Sequence, residues 1–175
     1  MILRVILLKG HVRTMIRKST GSRLGLSAAL FLVALLAIPA FPAVKNIAVI
    51  MTAGSKTADV QLAELVKLCK GTQKSWADGR NFMLVIRDPG APDMHTPVQK
   101  LFGMAPADFR AAVPKLNESR QLVKIVESDE ELIRTVEATP GAVGILDVYS
   151  INSSVKVLRV DGKLPFDVGY PLKGN

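Results

Sequence analysis

Apolar positions along the chain gather into short runs separated by polar or Gly/Pro-rich punctuation. The most complete example lies between Leu122 and Leu146. Leu122, Val123, Ile125 and Val126 form a run of strand length. Ser128 followed by Glu131 is an S-x-x-E helix start, in which the hydroxyl takes the Glu131 amide and the carboxylate returns to the cap amide. A helix is therefore predicted from Asp129. Asp129, Glu130 and Glu131 set negative charge at the positive end of the helix dipole, and Leu132, Ile133 and Val136 share one face. Thr139-Pro140-Gly141 ends the helix. Ala142 to Leu146 is apolar throughout with Gly144 inside it, the pattern of a strand covered on both faces and closely approached by a neighbour. Strand, helix and strand in this order predict two parallel strands joined by a crossover.

The same punctuation divides the rest of the chain. Asn46 to Met51 reads as a buried strand, and Thr52 to Thr57 is the loop leaving its carboxyl end. Thr57 or Asp59 can cap the next helix, whose apolar face runs from Val60 through Leu65, Val66 and Leu68 to Cys69 before Gly71 stops it. Lys74 to Arg80 reads as a turn that lays Trp76 against the body of the domain, and Phe82 to Ile86 is a second buried strand. Two prolines and a glycine make Asp88 to Asp93 a loop. Thr96 to Phe102 is helical with Val98, Leu101 and Phe102 inward, and Pro106 opens a helix over Ala107 to Val113 that Pro114 closes. Lys156 to Val160 is a late strand, Asp161-Gly162 a turn, and Phe166 and Tyr170 tether the tail. Strands alternating with helices predict an α/β fold, a three-layer sandwich around a central, mostly parallel sheet of four or five strands.

Charge changes this picture only at the beginning. The chain has a formal charge of +8 over 175 residues. Residues 1–43 hold six bases and no acid, so 17 of the 23 basic residues and all 15 acidic ones lie beyond them, a net of +2. The basicity belongs to the leader, which removes the argument for a nucleic-acid partner. Leu24 to Ile38 is apolar and short for a membrane span of about 20 residues. Pro39-Ala40-Phe41-Pro42-Ala43 follows it, so residues 1–43 read as a signal peptide cleaved after Ala40 or Ala43, with an uncleaved anchor as the alternative and Met15 as a second start. The mature domain would be residues 44–175, periplasmic, with no amphipathic basic helix to hold it at a membrane. Cys69 is the single cysteine, which excludes an internal disulfide.

Three stretches carry a family resemblance. They are Val126 to Glu131 followed by Thr139 to Gly144; Leu65 to Gly71 with Trp76-Ala77-Asp78-Gly79; and Val160-Asp161-Gly162 with Tyr170-Pro171-Leu172. In this order, over about Val44 to Lys173, the chain resembles the phosphate-type periplasmic substrate-binding proteins, the PBP-like receptors of ABC transporters. The resemblance implies a type II lobe and a small oxyanion or other small solute as ligand. It also implies an ABC importer or another periplasmic protein as partner, with no enzymatic activity and no cofactor. Those receptors close two lobes around the solute, and this chain has room for one. In the family's phosphate binders a Gly-Ser-Gly-Thr turn follows the arginine, where this sequence reads Asp88-Pro89-Gly90-Ala91-Pro92.

In open α/β sheets ligands sit beyond the carboxyl ends of strands. Thr52, Ser55 and Thr57 supply hydroxyls after the first strand and Arg87 a forked cation after the second, so these four are the candidate ligand-binding residues, expected to converge on one side of the sheet. Gly54-Ser55-Lys56-Thr57 lacks the order of a Walker loop. His95 has no partner by spacing, and no cluster has metal-ligand spacing, so neither catalysis nor a metal is expected. Two functions stay open: a solute-binding domain beside an importer, and an interaction or sensory module on the same fold that has lost the ligand site.

Overall fold

The computed structural model describes residues 45–173; the leader, its cleavage points and Met15 lie outside them. In chain order the strands are β1 (Ile47–Thr52), β2 (Asp59–Val60), β3 (Met83–Ile86), β4 (Val123–Ile125), β5 (Ala142–Asp147), β6 (Val155–Val157) and β7 (Arg159–Val160). The helices are α1 (Leu62–Cys69), α2 (His95–Phe102), α3 (Pro106–Leu116) and α4 (Asp129–Ala138), with 3-10 turns at Pro92–Met94 and Val148–Ser150. The central sheet has five strands in the order β4-β3-β5-β1-β6. β3 is parallel to β4 and β5, whereas β1 is antiparallel to β5 and to β6. Four of the five strands thus point one way and β1 alone runs against them, an α/β fold with a mostly parallel sheet.

Side chains alternate between the faces of each strand, and different helices cover the two faces. Val49, Met51, Leu84, Ile86, Val143 and Ile145 pack with Leu65, Leu68, Leu101 and Phe109 from α1 to α3. Ala48, Ile50, Val85, Ala142 and Leu146 pack with Leu132, Ile133 and Val136 of α4. This makes the three layers.

The β4-α4-β5 unit forms where the sequence places it, with β3 inserted between its two parallel strands. The Glu131 amide donates to Ser128 Oγ at 3.1 Å. Glu131 Oε2 accepts from the Glu127 amide at 3.2 Å, one residue before the expected cap amide. Gly144 is required by contact: a Cβ there would lie 2.5 Å from Leu132 Cδ2 and 2.9 Å from Ile50 Cγ1.

Four local expectations are corrected. Neither Thr57 nor Asp59 caps α1. Asp59 and Val60 pair instead with β7 in a small parallel sheet, and Asp161, at the end of β7, accepts the Leu62 amide at 2.8 Å, capping α1 across the fold. The late strand is accordingly split into β6 and β7. Pro114 lies inside α3, which continues to Leu116. Pro114 and Arg110 both face solvent, so water can serve the carbonyl that proline leaves without a donor. Tyr170 is buried, as expected of a tether, but Phe166 is 64% exposed and holds nothing.

Candidate functional site

At the carboxyl ends of β3 and β5, beside the start of α4, lies a cavity of about 200 Å³ whose polar lining includes Lys45, Arg87, Asp93, Asp129, Asp147 and Ser150. Arg87 Nη1 donates to Asp129 Oδ1 at 3.0 Å, and the Ser150 hydroxyl donates to the other carboxylate oxygen of Asp129. Lys45 Nζ lies 3.0 Å from Asp93 Oδ2. Asp147 Oδ1 accepts the Tyr149 amide at 3.0 Å. Two cations therefore face three carboxylates, and each cation already holds one of them.

The segment after Arg87 is equally self-satisfied. Asp88 Oδ1 takes the Gly90 amide at 2.8 Å and pairs with Arg110. A ring nitrogen of His95 lies 3.2 Å from the Gly90 carbonyl. Where a hydroxyl-bearing turn could present donors to an anion, this turn spends its amide on its own carboxylate.

The hydroxyl loop leaves the opposite end of the sheet. Because β1 runs against β5 and β3 runs with it, the exit of β1 and the exit of β3 cannot share a side. The expectation that Thr52, Ser55 and Thr57 converge with Arg87 is therefore corrected: the guanidinium that Ser55 meets is that of Arg80. Ser55 is buried, and its Oγ accepts from the Thr57 amide at 3.2 Å and from Arg80 Nη2 at 3.3 Å. Lys156 Nζ donates to the Ser55 carbonyl. Arg80 also pairs with Asp78; their side-chain hydrogen bond holds the Asp78 carboxyl below its ordinary range and raises Arg80 above its own. Trp76 packs edge-on to Phe82 and donates Nε1–H to the Gly141 carbonyl at 2.8 Å. Here the polar groups hold a loop in place.

The residues that sequence reading missed are Lys45, Asp129 and Ser150 at one end and Arg80 and Lys156 at the other. Asp129 had a sufficient local explanation in the helix dipole. Ser150 follows β5 as Arg87 follows β3, so the strand-end rule applied to β5 would have reached it. Cys69 is buried, and desolvation pushes its thiol well up, which leaves it protonated and unreactive. Among the described residues no group of three potential metal ligands occurs, and no helix is long and apolar enough to cross a membrane.

No protein-family model matches the chain, and no curated protein sequence does. Solved structures do match. PstS from Borrelia burgdorferi is similar at 18% identity and a TM-score of 0.54 over 74% of this chain and 54% of that one. An ABC-type phosphate transport receptor from Vibrio cholerae gives 14% and 0.52 over the same shares. A phosphate-binding protein from Stenotrophomonas maltophilia gives 16% and 0.55 over 71% and 42%. The chain spans about half the length of the solved structures it matches. It has a periplasmic-binding-protein-like fold.

Proposed function

We infer that the chain is an exported, non-catalytic binding module that uses a periplasmic-binding-protein-like lobe to dock a partner and has given up the oxyanion site. The Arg87–Asp129 pair carries this reading, because a carboxylate of the protein's own holds the cation that an oxyanion would need. An oxyanion entering there meets the carboxylates of Asp93, Asp129 and Asp147, and each of the two cations beside them is already paired with one of these. The polar groups of Thr52, Ser55 and Thr57 do not alter this from the far end of the sheet.

Solute binding beside an ABC importer keeps one supporting observation, the strand-end cavity with Arg87, in a chain whose structural neighbours include phosphate receptors. Its mixed charges suit a solute bearing both an anionic and a cationic group. A thermal-shift screen against phosphate, sulfate, molybdate and organic acids separates the two readings. A ligand at a hundredfold its dissociation constant stabilises by about 2.7 kcal/mol. The docking reading expects no shift with any oxyanion. A phosphate shift that disappears in Arg87→Ala would replace it with the receptor reading. Export is tested by intact mass: periplasmic protein should begin near Phe41 or Val44, and soluble cytoplasmic protein carrying the whole leader would contradict it.

A further inference from the structure

Where α1 and α3 end side by side, a groove of about 400 Å³ opens with Lys70, Lys74, Lys115 and Arg120 around it and no carboxylate in its lining. Met104, Leu116 and Leu122 give it an apolar floor. Residues 44–175 carry a net charge of only +2, so four cations in one groove are a concentration that the average surface does not explain. Cations are favoured where helices end, which accounts for Lys70 and Lys115. It does not account for Lys74 and Arg120, which lie outside the helices. Arg120 is fixed: Nη1 donates to the carbonyls of Lys74 and Phe82. None of the four makes an ion pair with a described residue, so their charge is not neutralised within the groove.

We propose that this groove binds an acidic segment of a partner protein, with carboxylates on Lys70, Lys74 and Lys115, Arg120 adding its charge, and an apolar side chain on the Met104, Leu116 and Leu122 floor. The proposal rests on the docking reading and names its surface. Charge complementarity selects an acidic occupant. The floor selects a peptide over a free inorganic anion, which would leave it unused. No aromatic side chain lines the groove, so single-stranded nucleic acid would find no stacking platform.

The test is fluorescence anisotropy of the exported chain, purified from the periplasm without its basic leader, with labelled decapeptides of alternating glutamate and leucine, glutamate and serine, and lysine and leucine. The glutamate–leucine peptide should bind, bind more tightly than the serine version, and weaken with salt; the lysine peptide should not bind. Reversing two exposed charges, Lys74→Glu with Lys115→Glu, should weaken it roughly tenfold or more while circular dichroism stays unchanged. Absence of acidic-peptide binding, or binding indifferent to the reversal, overturns the proposal. Tighter binding of single-stranded DNA or of phosphatidylglycerol vesicles overturns it in favour of that occupant. Self-association abolished by the reversal, seen by sedimentation, gives the groove to a second copy and likewise overturns it. Failure here with no oxyanion stabilisation removes only this groove; a phosphate shift that disappears in Arg87→Ala and survives Lys74→Glu with Lys115→Glu removes the docking reading itself.

Discussion

The two ends of the central sheet use similar residues for different ends. Beyond β3 and β5, Arg87 and Lys45 hold Asp129 and Asp93 around an open cavity. Beyond β1, Arg80 and Lys156 tie the loop down at buried Ser55, beside a pocket of about 280 Å³ that Lys56, Thr57, Asp59, Trp76 and Asp78 line. An arginine, a hydroxyl and a carboxylate occur at both. Burial decides the outcome, because Ser55 is closed off at 5% exposed while Ser150 borders the cavity. A polar residue type after a strand is thus weak information about binding until the direction of the strand and the cover over the loop are known.

The largest expected effect lies at the end beyond β1. Trp76→Ala removes a buried indole and its hydrogen bond to Gly141, and should cost about 4 kcal/mol in denaturant unfolding. If the loss were below about 1 kcal/mol, that end would not be the anchored one. Gly144→Val, in the strand that joins the two ends, forces a branched side chain into Leu132 and Ile50 and should cost about 3 kcal/mol. Unchanged melting would mean that α4 does not press on β5. Ser128→Ala removes the acceptor for the Glu131 amide at the Arg87 end and should cost about 1 kcal/mol. Arg87→Ala should cost only about 0.5 kcal/mol, because the pair it breaks is partly solvated. A loss comparable to Trp76→Ala would show that the Arg87 end is as structural as the Trp76 end.

Local order was legible because local causes produce it. Ser128 with Glu131, the Thr139-Pro140-Gly141 stop and the small Gly144 each act within a few residues, and the β4-α4-β5 unit follows from them. The pairing of Asp161 with the Leu62 amide joins residues 99 positions apart, and nothing near either residue announces it. Strand direction is hidden in the same way. Ile47 to Thr52 is buried on both faces whichever way it runs, so its apolar pattern is equally good parallel or antiparallel. That ambiguity separated the hydroxyl loop from Arg87. The identity of Asp129 as the partner of Arg87 was masked by a correct but incomplete explanation, its place in the first turn of α4.

The reversal of β1 is the claim on which the rest turns, and a spin-label distance between Lys56→Cys and Asp88→Cys tests it directly. Both positions are exposed, and buried Cys69 will not compete for the label. A strand of six residues at about 3.3 Å each puts the two labels beyond roughly 20 Å if the loops leave opposite ends of the sheet. Loops leaving the same end from strands two places apart would give about 10 Å, and a distribution centred there would contradict the account.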